Sequence, residues 1–309
     1  MREDRPPWSD DSWGESGDTP WRRGLRLQQA WWHSTHTNLP AGHIKGRARP
    51  VVSMLPEGAG WQPNLMTVEA CDAAERAIAR MRNANRPGII AEDRLRRNLL
   101  SSQPLCFNLF GYLGAHPDAL LPWIRSVAPE AASVRCIELE FAPMTGTIGG
   151  SAFDAFIEYR RGDGAAGFLG VECKYAEDLR ASQRTTAAEK YVAATTTPPW
   201  KQGAAESLDR RGLRQLWYNQ LLTQIVAASD DYVEGFGIVV ACAADRAARD
   251  AVAAVQTHLL HDDELRFCSI EEILASIQGH ESWEAAFSTR YIDFAPIQAL
   301  LDQSDPRRQ

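Results

Sequence analysis

Long hydrophobic runs are missing from this chain. No stretch reaches the ~18 to 20 consecutive apolar residues that a membrane-spanning helix needs, so no membrane partner is expected. The opening Met1-Arg2-Glu3-Asp4-Arg5-Pro6-Pro7 lacks the apolar core of a secretory signal. Paired cysteines are also missing. Cys71, Cys106, Cys136, Cys173, Cys242 and Cys268 stand far apart with no C-x-x-C, which argues against a zinc site or a disulfide framework and fits a reducing cytoplasm. There is no G-x-S-x-G, no P-loop and no G-x-G-x-x-G, so nucleophile-elbow hydrolases, P-loop NTPases and dinucleotide enzymes lose support. The seven histidines are scattered; His33 and His36 lie three apart, but no third ligand accompanies them.

What is present is a chain of 309 residues, 44% hydrophobic and 24% charged, enough to bury a sizeable core. Its net charge of −7 speaks against a polyanionic partner, but the charge is unevenly spread. Residues 215–309 hold 15 Asp/Glu against six Lys/Arg, whereas residues 160–214 hold ten Lys/Arg against seven Asp/Glu. Six of the ten Trp fall in the first 61 residues, among Pro, Gly, Ser and Asp. Residues 1–60 therefore read as a Trp/Pro/Gly-rich N-terminal extension, partly disordered, 61–300 as one domain and 301–309 as a tail. Within the extension, residues 22–32 read as a short helix. Its Arg22, Arg23, Arg26, Trp31 and Trp32, like Trp200, either stack on bases or pack onto the domain.

Apolar residues at helical spacing predict helices over 66–83 and 91–114, the second kinked or split at Pro104. The period then changes to two. Val134–Phe141, Phe153–Tyr159 and Phe168–Tyr175 read as three strands joined by Gly-rich turns, an antiparallel meander. Residues 178–208 read as a long polar insertion. A helix over 209–228, a buried run Phe236–Ala241, a helix over 245–260, a strand Leu265–Cys268 and a capping box at Ser269/Glu272 follow. The expected fold is α/β (α+β): a mixed central sheet with an antiparallel meander, an αβββαβ core flanked by helices.

Asp154 sits on one strand, and Glu172 and Lys174 share a face of the next. A hairpin between the strands sets Asp154 beside Glu172. Two adjacent carboxylates repel unless a cation lies between them, and carboxylates with a main-chain carbonyl and waters suit Mg²⁺. A neighbouring lysine orients water and stabilises charge building on phosphorus. These are the parts of phosphodiester hydrolysis. The bland alternative is a surface Glu–Lys ion pair worth ~0 to 1 kcal/mol, against which stands the apolar flank of Phe153, Ala155, Phe168, Leu169 and Val171. Glu140 or Glu138 is a candidate extra carboxylate from the preceding strand, and Ser102 and Gln103 from the upstream helix are candidate supporting residues. Arg180, Arg184, Arg210, Arg211 and Arg214 flank these motifs as candidate phosphate contacts.

Gly150-Ser151-Ala152-Phe153-Asp154-Ala155 followed by Gly170-Val171-Glu172-Cys173-Lys174-Tyr175 resembles the motif of the PD-(D/E)XK nuclease superfamily. Residues 99–111, Leu99-Leu100-Ser101-Ser102-Gln103-Pro104-Leu105-Cys106-Phe107-Asn108-Leu109-Phe110-Gly111, resemble its restriction-endonuclease-like bacterial branch. The resemblance covers roughly residues 45–295. It implies Asp154, Glu172 and the carbonyl of Cys173 as ligands of Mg²⁺ (or Mn²⁺), and Lys174 as the catalytic lysine. Gln215 and Tyr218 match the Q-x-x-Y pattern of the RecB-like exonuclease branch and are implied as supporting residues. Phe153 stands where the motif's proline would, and the upstream helix has no acidic residue where many members carry one, which leaves a two-metal site unsupported. The expected function is a metal-dependent deoxyribonuclease of the cytoplasm, with a role in defence against foreign DNA. The alternative is a non-cleaving nucleic-acid- or protein-binding module on the same fold. DNA, a second copy of the chain or a protein partner are the expected companions.

Overall fold

The period-two stretches fold as read. In the computed structural model, which describes residues 15, 17–83, 90–143, 152–177, 189–229 and 231–303, five strands form one sheet in the order β1-β2-β3-β4-β5. These are β1 (Ala131–Phe141), β2 (Phe153–Arg161), β3 (Ala166–Cys173), β4 (Glu234–Ala241) and β5 (Leu265–Ser269). β1, β2 and β3 pair antiparallel; β4 and β5 add on parallel to β3. β3 is buried along its whole length, as expected of a strand covered on both faces.

The helices are α1 (Pro20–His36), α2 (Val68–Asn83), α3 (Glu92–Arg97), α4 (Ser102–Cys106), α5 (Tyr112–Ala115), α6 (Pro117–Val127), α7 (Glu189–Ala194), α8 (Ala204–Leu208), α9 (Arg214–Ala227), α10 (Arg246–Gln256), α11 (Ile270–Ser276), α12 (Glu281–Tyr291) and α13 (Gln298–Gln303). One sheet face, carrying Ala155, Ile157, Leu169, Val171, Ile238 and Val240, packs against α2, α4 to α6, α11 and α12 around Phe107, Phe110 and Trp123. The opposite face meets α9 through Phe156, Phe168, Leu222 and Val226, and α9 and α10 close over Val239 and Leu265. Each such aromatic or aliphatic side chain contributes ~1.5–3 kcal/mol by leaving water. No helix among the described residues is long and apolar enough to cross a membrane.

Four expectations need correction. The 91–114 stretch is split, but ahead of Pro104 instead of at it. Pro104 lies in the first turn of α4, where no intrahelical N–H is required, and α3 ends before it. Residues 107–111 continue α4 as a π-helical turn. Second, α6 answers to no predicted element, although Pro117 at its start and buried Leu120, Trp123, Ile124 and Val127 have helical spacing. Third, the described part of the expected 1–60 extension packs onto the domain, while residues 1–14 and 16 lie outside the described residues. Leu25 of α1 lies in the main core, and α1 docks on α12 through Gln28 Nε2 to Thr289 O at 2.8 Å and Gln29 Nε2 to Arg290 O at 2.9 Å. Fourth, the segment expected as a tail over 301–309 starts as helix, with α13 running to Gln303, and 304–309 lie outside the described residues. Trp32 is buried beneath the Arg290 guanidinium, 4.1 Å from its ring centroid, and Trp200 is buried with Nε1 on Gln224, whereas Trp31 is half-buried.

Candidate active site

β1, β2 and β3 place three carboxylates in a row. The register pairs Leu139 with Ala155 and Ala155 with Val171. One residue along, Glu140, Asp154 and Glu172 therefore stand side by side on the face opposite those apolar residues. Glu140 and Glu172 are buried; Asp154 keeps part of its surface open. The row lies near the carboxyl ends of β1 and β3 and the start of β2.

Each member is held by a named donor. Asp154 Oδ2 accepts from the backbone N–H of Cys173 at 2.7 Å. Glu172 Oε1 accepts from Lys174 Nζ at 2.5 Å and from Gln215 Nε2 at 2.6 Å, and its Oε2 accepts from Asn219 Nδ2. Lys174 Nζ also donates to Gln215 Oε1 at 2.9 Å. Gln103, in the first turn of α4, donates through Nε2 to Glu140 Oε1 at 2.5 Å. Glu140 has φ of 51°, a left-handed backbone that costs a non-glycine residue roughly 1–2 kcal/mol. Such strain persists where the surroundings hold it, commonly at functional sites.

The electrostatics follow from crowding. Burial first, then the charge of Glu172, raises the Glu140 carboxyl to about 7, against the pull of Gln103, Arg94 and Arg80. Burial, then Glu172 and Glu140, drives Asp154 well above the ordinary aspartate value. Burial works against the charge of Lys174, but Glu172, Asp154 and Glu177 outweigh it and hold the ammonium above its usual range. The cluster is short of positive charge, which is the condition a bound cation relieves. Gln103 Oε1 is buried without a hydrogen-bond partner, a spare hard oxygen beside the row. These donors fit a hard divalent ion. Among the described residues no three His, Cys, Asp or Glu side chains cage an ion by themselves, so a main-chain carbonyl and water would complete the shell.

The structure thus brings together Asp154, Glu172, Lys174, Glu140, Gln103 and Gln215. Ser102 stands close by, its backbone N–H on Glu177 Oε1 at 2.6 Å. Tyr218 does not join them. It turns toward α7 and stacks on Tyr191, ring centroids 3.8 Å apart. Arg214 is buried and its Nε donates to Asp209 at 2.6 Å, which occupies it inside the fold instead of on a phosphate. Arg210 and Arg211 are exposed just before α9, and Arg180 and Arg184 lie outside the described residues. Asn219 was not expected. Its signal is the i, i+4 spacing from Gln215, which puts both amides on one face of α9.

Searches of curated proteins and of solved structures gave no match. A family profile, PD-(D/E)XK nuclease superfamily, matches residues 16–293. The match covers most of the chain, α1 through α12 and the whole five-stranded sheet included, and the sheet and its flanking helices have a restriction-endonuclease-like arrangement. The chain belongs to the PD-(D/E)XK nuclease superfamily.

Proposed function

We propose that the protein is a metal-dependent nuclease that hydrolyses phosphodiester bonds of DNA. The observation that carries this is the row Glu140–Asp154–Glu172 with Lys174 bonded to Glu172. Asp154, Glu172 and the carbonyl of Cys173 would hold Mg²⁺ or Mn²⁺, with Glu140 as the adjoining carboxylate. Such an ion supplies a Lewis acid and lowers the pKa of water. Lys174, kept protonated by three carboxylates, positions that water and stabilises the charge gathering on phosphorus. Gln215 and Asn219 fix the Glu172 carboxylate so that one orientation is presented. A bacterial cytoplasm and a part in defence against foreign DNA complete the proposal and rest on family resemblance.

The test is cleavage of circular and linear DNA by the purified protein with Mg²⁺, Mn²⁺ or EDTA, beside Lys174→Ala. Metal-dependent cutting that falls by about 10² or more in the variant is expected; cutting of the circle identifies an endonuclease. An equally active Lys174→Ala protein would remove the lysine from the mechanism. Binding without turnover in any metal would make the chain a binding module.

A further inference from the structure

Residues 76–97 contain seven arginines and no lysine, against Glu92 and Asp93 as the acids. The structure sets the described residues of this stretch, 76–83 and 90–97, at the Glu140 end of the carboxylate row, and Arg86 lies outside the described residues. Arg80 of α2 pairs with Glu138 Oε2 at 3.2 Å and donates to the carbonyl of Leu139. Arg82 Nη2 binds Glu92 Oε1 at 2.5 Å, tying the end of α2 to the start of α3. Arg97 is buried, donating to Leu55 O, His43 O and Asp93. Arg96 lies over Trp61, 3.4 Å from its ring centroid. These four are spent on structure. Arg76 and Arg94 are not: both are exposed and make no hydrogen bond or ion pair among the described residues. Arg76 is one turn before Arg80 on α2, so the two share a face, and Arg94 lies on α3, which the Arg82–Glu92 pair ties to the end of α2.

We infer that Arg76 and Arg94 form a phosphate-binding surface that grips a nucleic-acid strand and leads it past Glu140 onto Asp154 and Glu172. Guanidinium suits phosphate because it binds bidentate and never loses its charge. An acidic chain needs such a local field to hold a polyanion near a row of carboxylates. This surface is separate from Arg210 and Arg211, which precede α9 at the Glu172 side. The inference rests on the nuclease reading, but binding tests it apart from cleavage.

Affinity for a labelled DNA duplex is measured in EDTA across a salt series. The proteins are wild type, Arg76→Gln, Arg94→Gln, the double variant and Arg125→Gln. Arg125 is the charge-matched control; it lies on α6 and donates to Ala131 O at the far end of β1. Thermal melts confirm that each is folded. The double variant should lose about ten-fold in affinity at low salt. The slope of log K against log salt should fall by about 2, near 0.9 for each lost phosphate contact. Arg125→Gln should change neither. A double variant with wild-type affinity and slope, or a control that loses as much, overturns the surface and leaves cleavage by the wild type intact. Wild type that binds through Arg76 and Arg94 but never cuts keeps the surface and sinks the nuclease. Wild type that binds no duplex at low salt overturns the surface, and its cleavage assay then decides the nuclease reading separately.

Discussion

Glu140 combines a buried carboxyl, a left-handed backbone and a glutamine that holds it in place. Its raised pKa has a consequence for stability. The group binds its proton more tightly folded than unfolded, where its value is near 4.5. The stability it contributes is therefore complete below 4.5 and lost as pH rises through about 7. In EDTA the melting temperature should fall between about pH 5 and 8, Mg²⁺ should oppose the fall, and Glu140→Gln should flatten it. A melting temperature that rises over that range in EDTA contradicts the crowding of the row. Asn219→Ala leaves Glu172 Oε2 without its donor, and should cost 10- to 100-fold, approximately, in metal affinity or turnover while Km for DNA stays near wild type. The placing of Asp154 beside Glu172 and Lys174 was legible in the sequence because alternation puts Glu172 and Lys174 on one face and a hairpin brings Asp154 alongside. Asn219 was not: its partner lies on a strand 47 residues away, and the apolar stripe of α9 dominates the local pattern.

At the scale of elements, β3 carries the site because small residues let its neighbours close in. A Cβ at Gly170 would sit 2.3 Å from Phe153 Cε1, inside van der Waals contact. Gly170→Ala should therefore cost ~1–3 kcal/mol, visible as a lower denaturation midpoint, and should disturb the neighbouring Glu172. An unchanged midpoint would show that Phe153 is free to move. The strands were legible from their period and their Gly-rich turns, and their antiparallel order from the short connections between Phe153 and Tyr175. The helices before them were less so. Residues 91–114 form one apolar run in sequence, yet Ser101 caps a new helix by accepting from Gln103 N–H. That break aims Gln103 at Glu140.

For the whole molecule, the N-terminal helix is part of the domain. Gln29 of α1 donates to the Tyr175 hydroxyl at 2.8 Å, one residue beyond Lys174. Arg290, fully buried, donates to Asn64 O at 2.7 Å and Asn64 Oδ1 at 2.5 Å. Removing residues 1–37 should thus abolish the cooperative melt; a truncated chain that melts like the full one would restore the boundary read from sequence. The sequence suggests that boundary because Trp, Pro and Gly density reads as irregular structure, while the partners of α1 lie 261 residues further along the chain.

The proposed activity requires the carboxylate row to act through a divalent ion. Its most direct test is the rate of DNA hydrolysis against free Mg²⁺, in wild type and Asp154→Ala, with both shown to be folded by the same melting transition. The prediction is a saturable dependence on Mg²⁺, abolition by EDTA, and a loss of at least ~10³-fold in Asp154→Ala, equivalent to several kcal/mol of transition-state stabilisation. Cleavage that persists in EDTA, or that survives the substitution, contradicts it.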